Sequence, residues 1–128
     1  MDIDIAAVRR NLRARAERER AERERLREAA ECAVTEAARR LAPASPAARV
    51  YLFGSVIRPG AFRRDSDVDV AVEGLGAEAF SALWKALEAA APDWLIDLRD
   101  LGADADFAAR VRATGKLIYE RSDPDPQS

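Results

Sequence analysis

Between Ile5 and Leu41 the chain has neither proline nor glycine and consists largely of alanine, arginine, glutamate and leucine. These are strong helix formers, so the segment is expected to be one long helix, which commits more than a quarter of the 128 residues to a single element. Its two halves differ. Leu26, Ala30, Ala33, Ala37 and Leu41 recur at three- and four-residue spacing, whereas Arg13 to Arg25 contains no large apolar residue. An apolar stripe needs a surface to pack on, so the second half is expected to lie on the domain and the first to project from it. From Arg9 to Arg25 there are eight arginines against four glutamates, a net charge of +4. Glu17 with Arg20, Glu19 with Arg23, Glu22 with Arg25 and Glu24 with Arg27 are at pairing distance on a helix, each pair contributing about 0.2–0.5 kcal/mol. Two readings remain open for this half: a solvated, self-paired rod, or a docking surface for an acidic partner or for a second copy of the chain, a homo-oligomer contact.

What remains is enough for one modest core. The composition, 48% hydrophobic and 34% charged, is that of a globular domain with an ionic surface. Its net charge of −2, from 21 basic and 23 acidic residues, creates no overall field that attracts nucleic acid, so direct nucleic-acid binding is not expected. The start of the chain lacks the basic flank and apolar run of a signal peptide, and no apolar stretch approaches membrane-spanning length. A cytoplasmic location and no membrane partner are the expectations. One cysteine, Cys32, cannot form an internal disulfide, and with no histidine in the chain every imidazole-base mechanism and most zinc sites are excluded.

Pro43 and Pro46 end the helix. Arg49 to Phe53 reads as a buried strand, Ser55 to Ser66 as a loop with one helical turn, and Val68 to Val72 as a second strand. Ala77 to Ala90 has Phe80, Leu83, Trp84 and Leu87 on one stripe and reads as an amphipathic helix; Trp94 to Leu98 reads as a third strand and Phe107 to Ile118 as the last helix. Trp84 and Trp94 are expected in the core, and Lys85 and Lys116 in solvent. The fold class is α/β (α+β), a small mixed sheet flanked by helices, with a long charged N-terminal helix and linker over residues 1–45, a core over 46–121 and a disordered tail over 122–128.

The chemistry concentrates after the first strand. Gly54 lets the backbone bend towards a ligand, a following helical turn would aim free N–H groups at an anion, and Ser55 adds a hydroxyl. Asp67 and Asp69 straddle Val68, so on a strand both carboxylates point to one face. Two such charges repel unless a cation lies between them, and hard oxygen ligands of this kind suit Mg²⁺ held jointly with substrate phosphates. Asp97, on the third strand, is an ionisable group among Leu95, Ile96 and Leu98. Three carboxylates on adjacent strands suit a two-metal displacement, in which Asp97 holds the second ion or accepts a proton. Arg58, Arg63 and Arg64 lie in the intervening loop, where a guanidinium could stabilise a leaving pyrophosphate; Arg58, close behind Ser55, is the preferred candidate. Each residue also has a plainer reading. Gly54-Ser55 can be an ordinary turn, Asp67 a turn residue after Ser66, Asp69 a partner of Arg63, and Asp97 a partner of Arg99, with Asp93 or Asp100 competing as third ligand.

The run from Gly54 to Val72, with Ile96-Asp97-Leu98 and the ending from Phe107 to Glu120, resembles the minimal nucleotidyltransferases (MNT) of the DNA polymerase β superfamily. The resemblance covers about Arg49 to Glu120 and leaves the charged helix outside. Its Ser-to-Asp loop, Val56 to Ser66, is eleven residues, one more than that family commonly has. The resemblance implies a polymerase β-like fold, Gly54 and Ser55 at the nucleotide phosphates beside the Arg58 expected from its place in the loop, and Asp67, Asp69 and Asp97 as catalytic metal ligands for Mg²⁺, with ATP as substrate; two ions are what the three carboxylates suit. It further implies an antitoxin partnered with a HEPN-type toxin, either transferring AMP to a tyrosine of that toxin or neutralising it by contact without catalysis.

Overall fold

The computed structural model describes residues 2–122. Helix α1 spans Ile5–Leu41 without interruption; the Asp4 carboxylate accepts a hydrogen bond from the Ala7 N–H at 3.1 Å and caps its start. A 3-10 turn, Ala42–Ala44, leads into β1, Arg49–Phe53, and a second one, Gly54–Ile57, follows it. Next come β2, Val68–Glu73; α2, Ala77–Ala90; β3, Ile96–Asp100; α3, Ala105–Thr114; and β4, Lys116–Glu120.

The four strands form one sheet in the order β3-β2-β1-β4. β1 runs antiparallel to β2 and β4, while β2 and β3 are parallel and joined through α2. Alternation divides the side chains between the two faces. Val50 and Leu52 of β1, Val68, Val70 and Val72 of β2, and Ile96 and Leu98 of β3 join the buried cluster that also takes in Ala30, Val34 and Ala37 of α1 and Leu83 and Leu87 of α2. Tyr51 and Ala71 face the other way, into a smaller cluster with Ala108 and Val111 of α3. Between Arg58 and Ser66 the chain has no regular element, yet Phe62 is fully buried there and packs on Trp94 with ring centroids 6.2 Å apart. One aromatic ring therefore pins the loop to the core.

The mixed sheet and the packed second half of α1 are as expected, with Val34 added to the stripe. The end of the chain differs. The helix expected over Phe107 to Ile118 stops at Thr114, and Lys116–Glu120 is a strand. Gly115 causes the break: a β-carbon there would crowd the Val111 and Leu52 carbonyls, so the chain turns tightly against β1 and pairs with it. Lys116 is not simply solvated, because its ammonium is paired with Glu31 of α1. Trp84 and Trp94 are half-buried, and the Trp84 indole N–H donates to the Ile96 carbonyl at 3.0 Å. Of the four charge pairs expected along α1, Glu24–Arg27 is present among the described residues, and Arg15 pairs with Glu19 at 3.4 Å instead of the other three forming. The Arg15–Glu19 pair is exposed and gains little over hydration. The tail expected to be disordered lies, apart from Ser122, outside the described residues. Among those residues no helix is long and apolar enough to cross a membrane.

Candidate functional site

The parallel register of β2 and β3 sets Asp69 directly opposite Asp97, and the antiparallel register of β1 and β2 sets Phe53 opposite Asp69. Phe53, Asp69 and Asp97 thus form a row across three strands on the α3 face, at the sheet end where β1 gives way to the Gly54–Ile57 turn. Neighbouring strands lie about 4.8 Å apart, which leaves two carboxylates close together. Asp69 feels that crowding. Burial first, then the negative charges of Asp97 and Asp67, push its carboxyl above the usual range, opposed by the positive charges of Arg99 and Arg58.

Gly54 adopts φ +74°, a left-handed conformation that costs a side-chain-bearing residue. A β-carbon at this position would also overlap the Asp69 carboxylate. The backbone of the turn therefore comes up against the acidic group with nothing between them. Ser55 is the second residue of that turn and half-buried, and its carbonyl accepts from the Arg58 N–H at 3.1 Å.

Beside this row is a cavity of about 340 Å³ lined by Phe53, Gly54, Arg58, Asp69, Phe107, Arg110, Val111 and Thr114. Of the residues expected from sequence, Gly54, Arg58 and Asp69 meet here. Ser55, Asp67 and Asp97 do not line it: Asp67 is exposed just ahead of β2, and Asp97 Oδ2 accepts from Arg99 Nε and Nη2 at 3.3 Å. Asp97 is accordingly not embedded among apolar groups; the alternation of β3 turns Ile96 and Leu98 inward and Asp97 to the open face. The competing candidates stand elsewhere, Asp93 before β3 and Asp100 opposite Val72, where it accepts from the Gly102 N–H. Arg63 and Arg64 line a different cleft, between the loop and α1, which leaves Arg58 as the loop arginine on the cavity.

Sequence reasoning missed the contribution of α3. Phe107, Arg110, Val111 and Thr114 follow one another at three, one and three residues, a single helical face, and that periodicity was the available signal. Phe107 meets Phe53 edge-on, with centroids 5.3 Å apart and planes at 76°. Neither Arg58 nor Arg110 has an acidic partner within salt-bridge distance among the described residues. The cavity thus has two uncommitted guanidiniums on its wall.

The donor chemistry fits a hard divalent cation, since a positive ion beside Asp69 would relieve the repulsion that raises it. The carboxylates do not close around a common point: among the described residues no three His, Cys, Asp or Glu side chains are grouped tightly enough to hold a metal.

Several known proteins are similar. One solved structure, of a toxin–antitoxin with AMP-PNP, is 31% identical over 60% of this chain and 64% of its own, with a TM-score of 0.49. A mutant of the toxin–antitoxin MntA–HpeT is 28% identical with the same coverages and TM-score. A tri-AMPylated Shewanella oneidensis HEPN toxin in complex with MNT antitoxin is 29% identical over 59% of each chain, with a TM-score of 0.43. The chain spans 64% of the length of the first two. No curated protein matches it at a significant level. The family described as Polymerase beta, Nucleotidyltransferase matches residues 38–124, a stretch that holds the whole sheet, the Gly54 turn and the three aspartates, and the chain belongs to that family.

Proposed function

We propose that the protein is a magnesium-dependent nucleotidyltransferase that moves AMP from ATP to a hydroxyl group, the acceptor being a tyrosine of a HEPN-type toxin for which the chain is the cytoplasmic antitoxin. The observation that carries this reading is the Asp69–Asp97 pair in register beside a glycine turn and a cavity bordered by two free arginines. In it, Gly54 and Ser55 hold the phosphates through backbone N–H groups and the serine hydroxyl. Arg58 and Arg110 balance the charge that develops on pyrophosphate as the acceptor oxygen bonds to the α-phosphorus, the bond from that phosphorus to the bridging oxygen breaks, and the hydroxyl proton passes to an aspartate of the site or to water. Asp67, Asp69 and Asp97 would hold the magnesium, which when bound supplies Lewis-acid stabilisation of the phosphates and acidifies the attacking hydroxyl. The aromatic pair Phe53–Phe107 gives the cavity an apolar wall against which a base or ribose can rest. The toxin partner follows from the resemblance of the Gly54 to Val72 run to the minimal nucleotidyltransferases.

Incubation of the protein and the co-expressed toxin with α-labelled ATP and magnesium tests this directly. Label should pass to the toxin with the natural chain and fail with Asp67→Asn/Asp69→Asn. Transfer that survives the double substitution would remove the carboxylates from the chemistry.

A second reading rests on a different surface. Ile5, Val8 and Leu12 of α1 are exposed, Ile5 at 62% and Leu12 at 60%, and they share a helix face with the packed residues lower down, since Val8 to Leu26 and Leu12 to Ala30 are each about five turns. That stripe could neutralise a partner by contact alone. In that case the double Asp variant would still neutralise the toxin.

A further inference from the structure

Arg27 of α1 lies outside the family match, which begins at residue 38. Its side chain is 12% exposed and holds three groups at once. Nε donates to both carboxylate oxygens of Glu24 at 2.9 and 3.0 Å, and Nη1 donates to Glu31 at 2.7 Å and to the carbonyl of Val56 at 2.9 Å. Val56 is the third residue of the Gly54–Ile57 turn and fully buried. Glu24 in turn is held below the usual carboxylate range by Arg27 first, against a desolvation effect, and by the backbone N–H of Gly60. Helix α1 therefore grips the turn at Val56, two residues ahead of Arg58.

We infer that Arg27 is a positioning residue for the nucleotide site: through the Val56 carbonyl it fixes the turn that leads into Arg58, so that the Arg58 guanidinium faces the phosphates. This rests on the nucleotidyltransferase reading and deepens it. The charge arrangement is self-sufficient, with Glu24 and Glu31 set against Arg27 and Lys116. Burying such a network is a poor way to gain stability, because the desolvation penalty offsets most of the attraction; what it does supply is directional definition. Val56 already anchors the turn apolarly, so the bond to its carbonyl adds orientation to a segment that is already buried. Only a guanidinium has enough donors, in one plane, to serve two carboxylates and a carbonyl together.

Calorimetric binding of magnesium with AMP-PNP, and separately of AMP, tests the inference on the whole chain and on Arg27→Met, Arg27→Lys, Arg58→Ala and the Arg27→Met/Arg58→Ala pair. Arg27→Met should weaken AMP-PNP about tenfold and AMP by less than about twofold, and should cost nothing further once Arg58 is alanine, the signature of two residues acting through one another. A residue that merely supports the fold would lower both affinities alike. Should Arg27→Met not fold, Arg27→Lys carries the test. It keeps a cation between the glutamates but replaces the planar fork by a single flexible nitrogen, which loses the fixed direction of the bond to Val56, so AMP-PNP should still weaken by about threefold or more. Unchanged AMP-PNP affinity in Arg27→Lys or Arg27→Met, or penalties that multiply in the pair, would overturn the inference while leaving the nucleotidyltransferase reading intact. Failure of the natural chain to bind AMP-PNP with magnesium would defeat that reading, and this inference with it.

Discussion

Asp69 and Asp97 are directly opposed in the parallel register of β2 and β3, and the Asp69 carboxyl is raised by burial and then by the charges of Asp97 and Asp67. A carboxyl whose folded value is raised favours the fold while protonated and disfavours it once ionised, so its contribution fades as pH rises through that value. In metal-free protein Asp69→Asn should raise Tm at pH 7, and the gain should close at pH 3, where the natural residue is itself neutral. Thermal melts at the two pH values check this. A variant less stable than the natural chain at neutral pH would contradict the crowding of the pair.

Magnesium with AMP-PNP should stabilise the natural chain by about 2.7 kcal/mol at a hundredfold excess over Kd. Asp69→Asn should show almost no such shift. The site would then be a place where intrinsic stability and ligand binding oppose each other, as functional sites often are.

Glu31 titrates in the other direction. Burial would raise its carboxyl, but hydrogen bonds and charge from Lys116 and Arg27 outweigh that and lower it below 4.5. The stability it contributes is present above that value and is lost as pH falls through the lower folded one. Glu31→Gln should therefore destabilise the chain at pH 7 by about 1.5 kcal/mol, the usual scale for hydrogen bonds to charged groups. Denaturant melts should show the difference shrinking steadily on acidification below pH 4.5.

Gly54→Ala tests the turn. Its φ of +74° and the neighbouring Asp69 carboxylate both resist a β-carbon, so a loss of about 1–3 kcal/mol is expected. Binding of AMP-PNP should fail even at temperatures where the variant is folded.

Phe62→Ala should cost about 3–5 kcal/mol, a large effect for a residue between Arg58 and Asp67 in a loop without regular structure. Ile5→Gln/Val8→Gln/Leu12→Gln should change stability by less than about 0.5 kcal/mol per site, as expected for exposed positions. The triple variant should lose toxin neutralisation if contact through α1 is what silences the toxin, and keep it if transfer does. Urea melts and co-expression survival provide the two measurements.

Local signals explain what could be read from the chain in advance. The absence of helix breakers from Ile5 to Leu41 and the valine alternation of Val68 to Val72 announced α1 and β2, and the Gly-Ser and Asp-x-Asp spacing pointed to the sheet end where Gly54 meets Asp69. Lys116–Glu120 was hidden because Leu117, Ile118 and Tyr119 continue the apolar pattern of α3, and only tertiary crowding at Gly115 decides where the helix stops. Arg27 reads in the sequence only as a helix partner of Glu24. Its role depends on the Val56 carbonyl, 29 residues away in sequence, a distance over which no periodicity carries information. For Phe107 and Arg110 the helical spacing put them on one face, but only the fold shows that this face meets Gly54.

The family match opens at residue 38, inside a helix whose Ala30 and Val34 are already buried in the core. The matched stretch and the stretch that fills the core are therefore not the same. Trimmed to residue 38, the sheet would lose the buried side chains that α1 lays over its larger cluster, so a shortened version should keep the helix from at least Leu26.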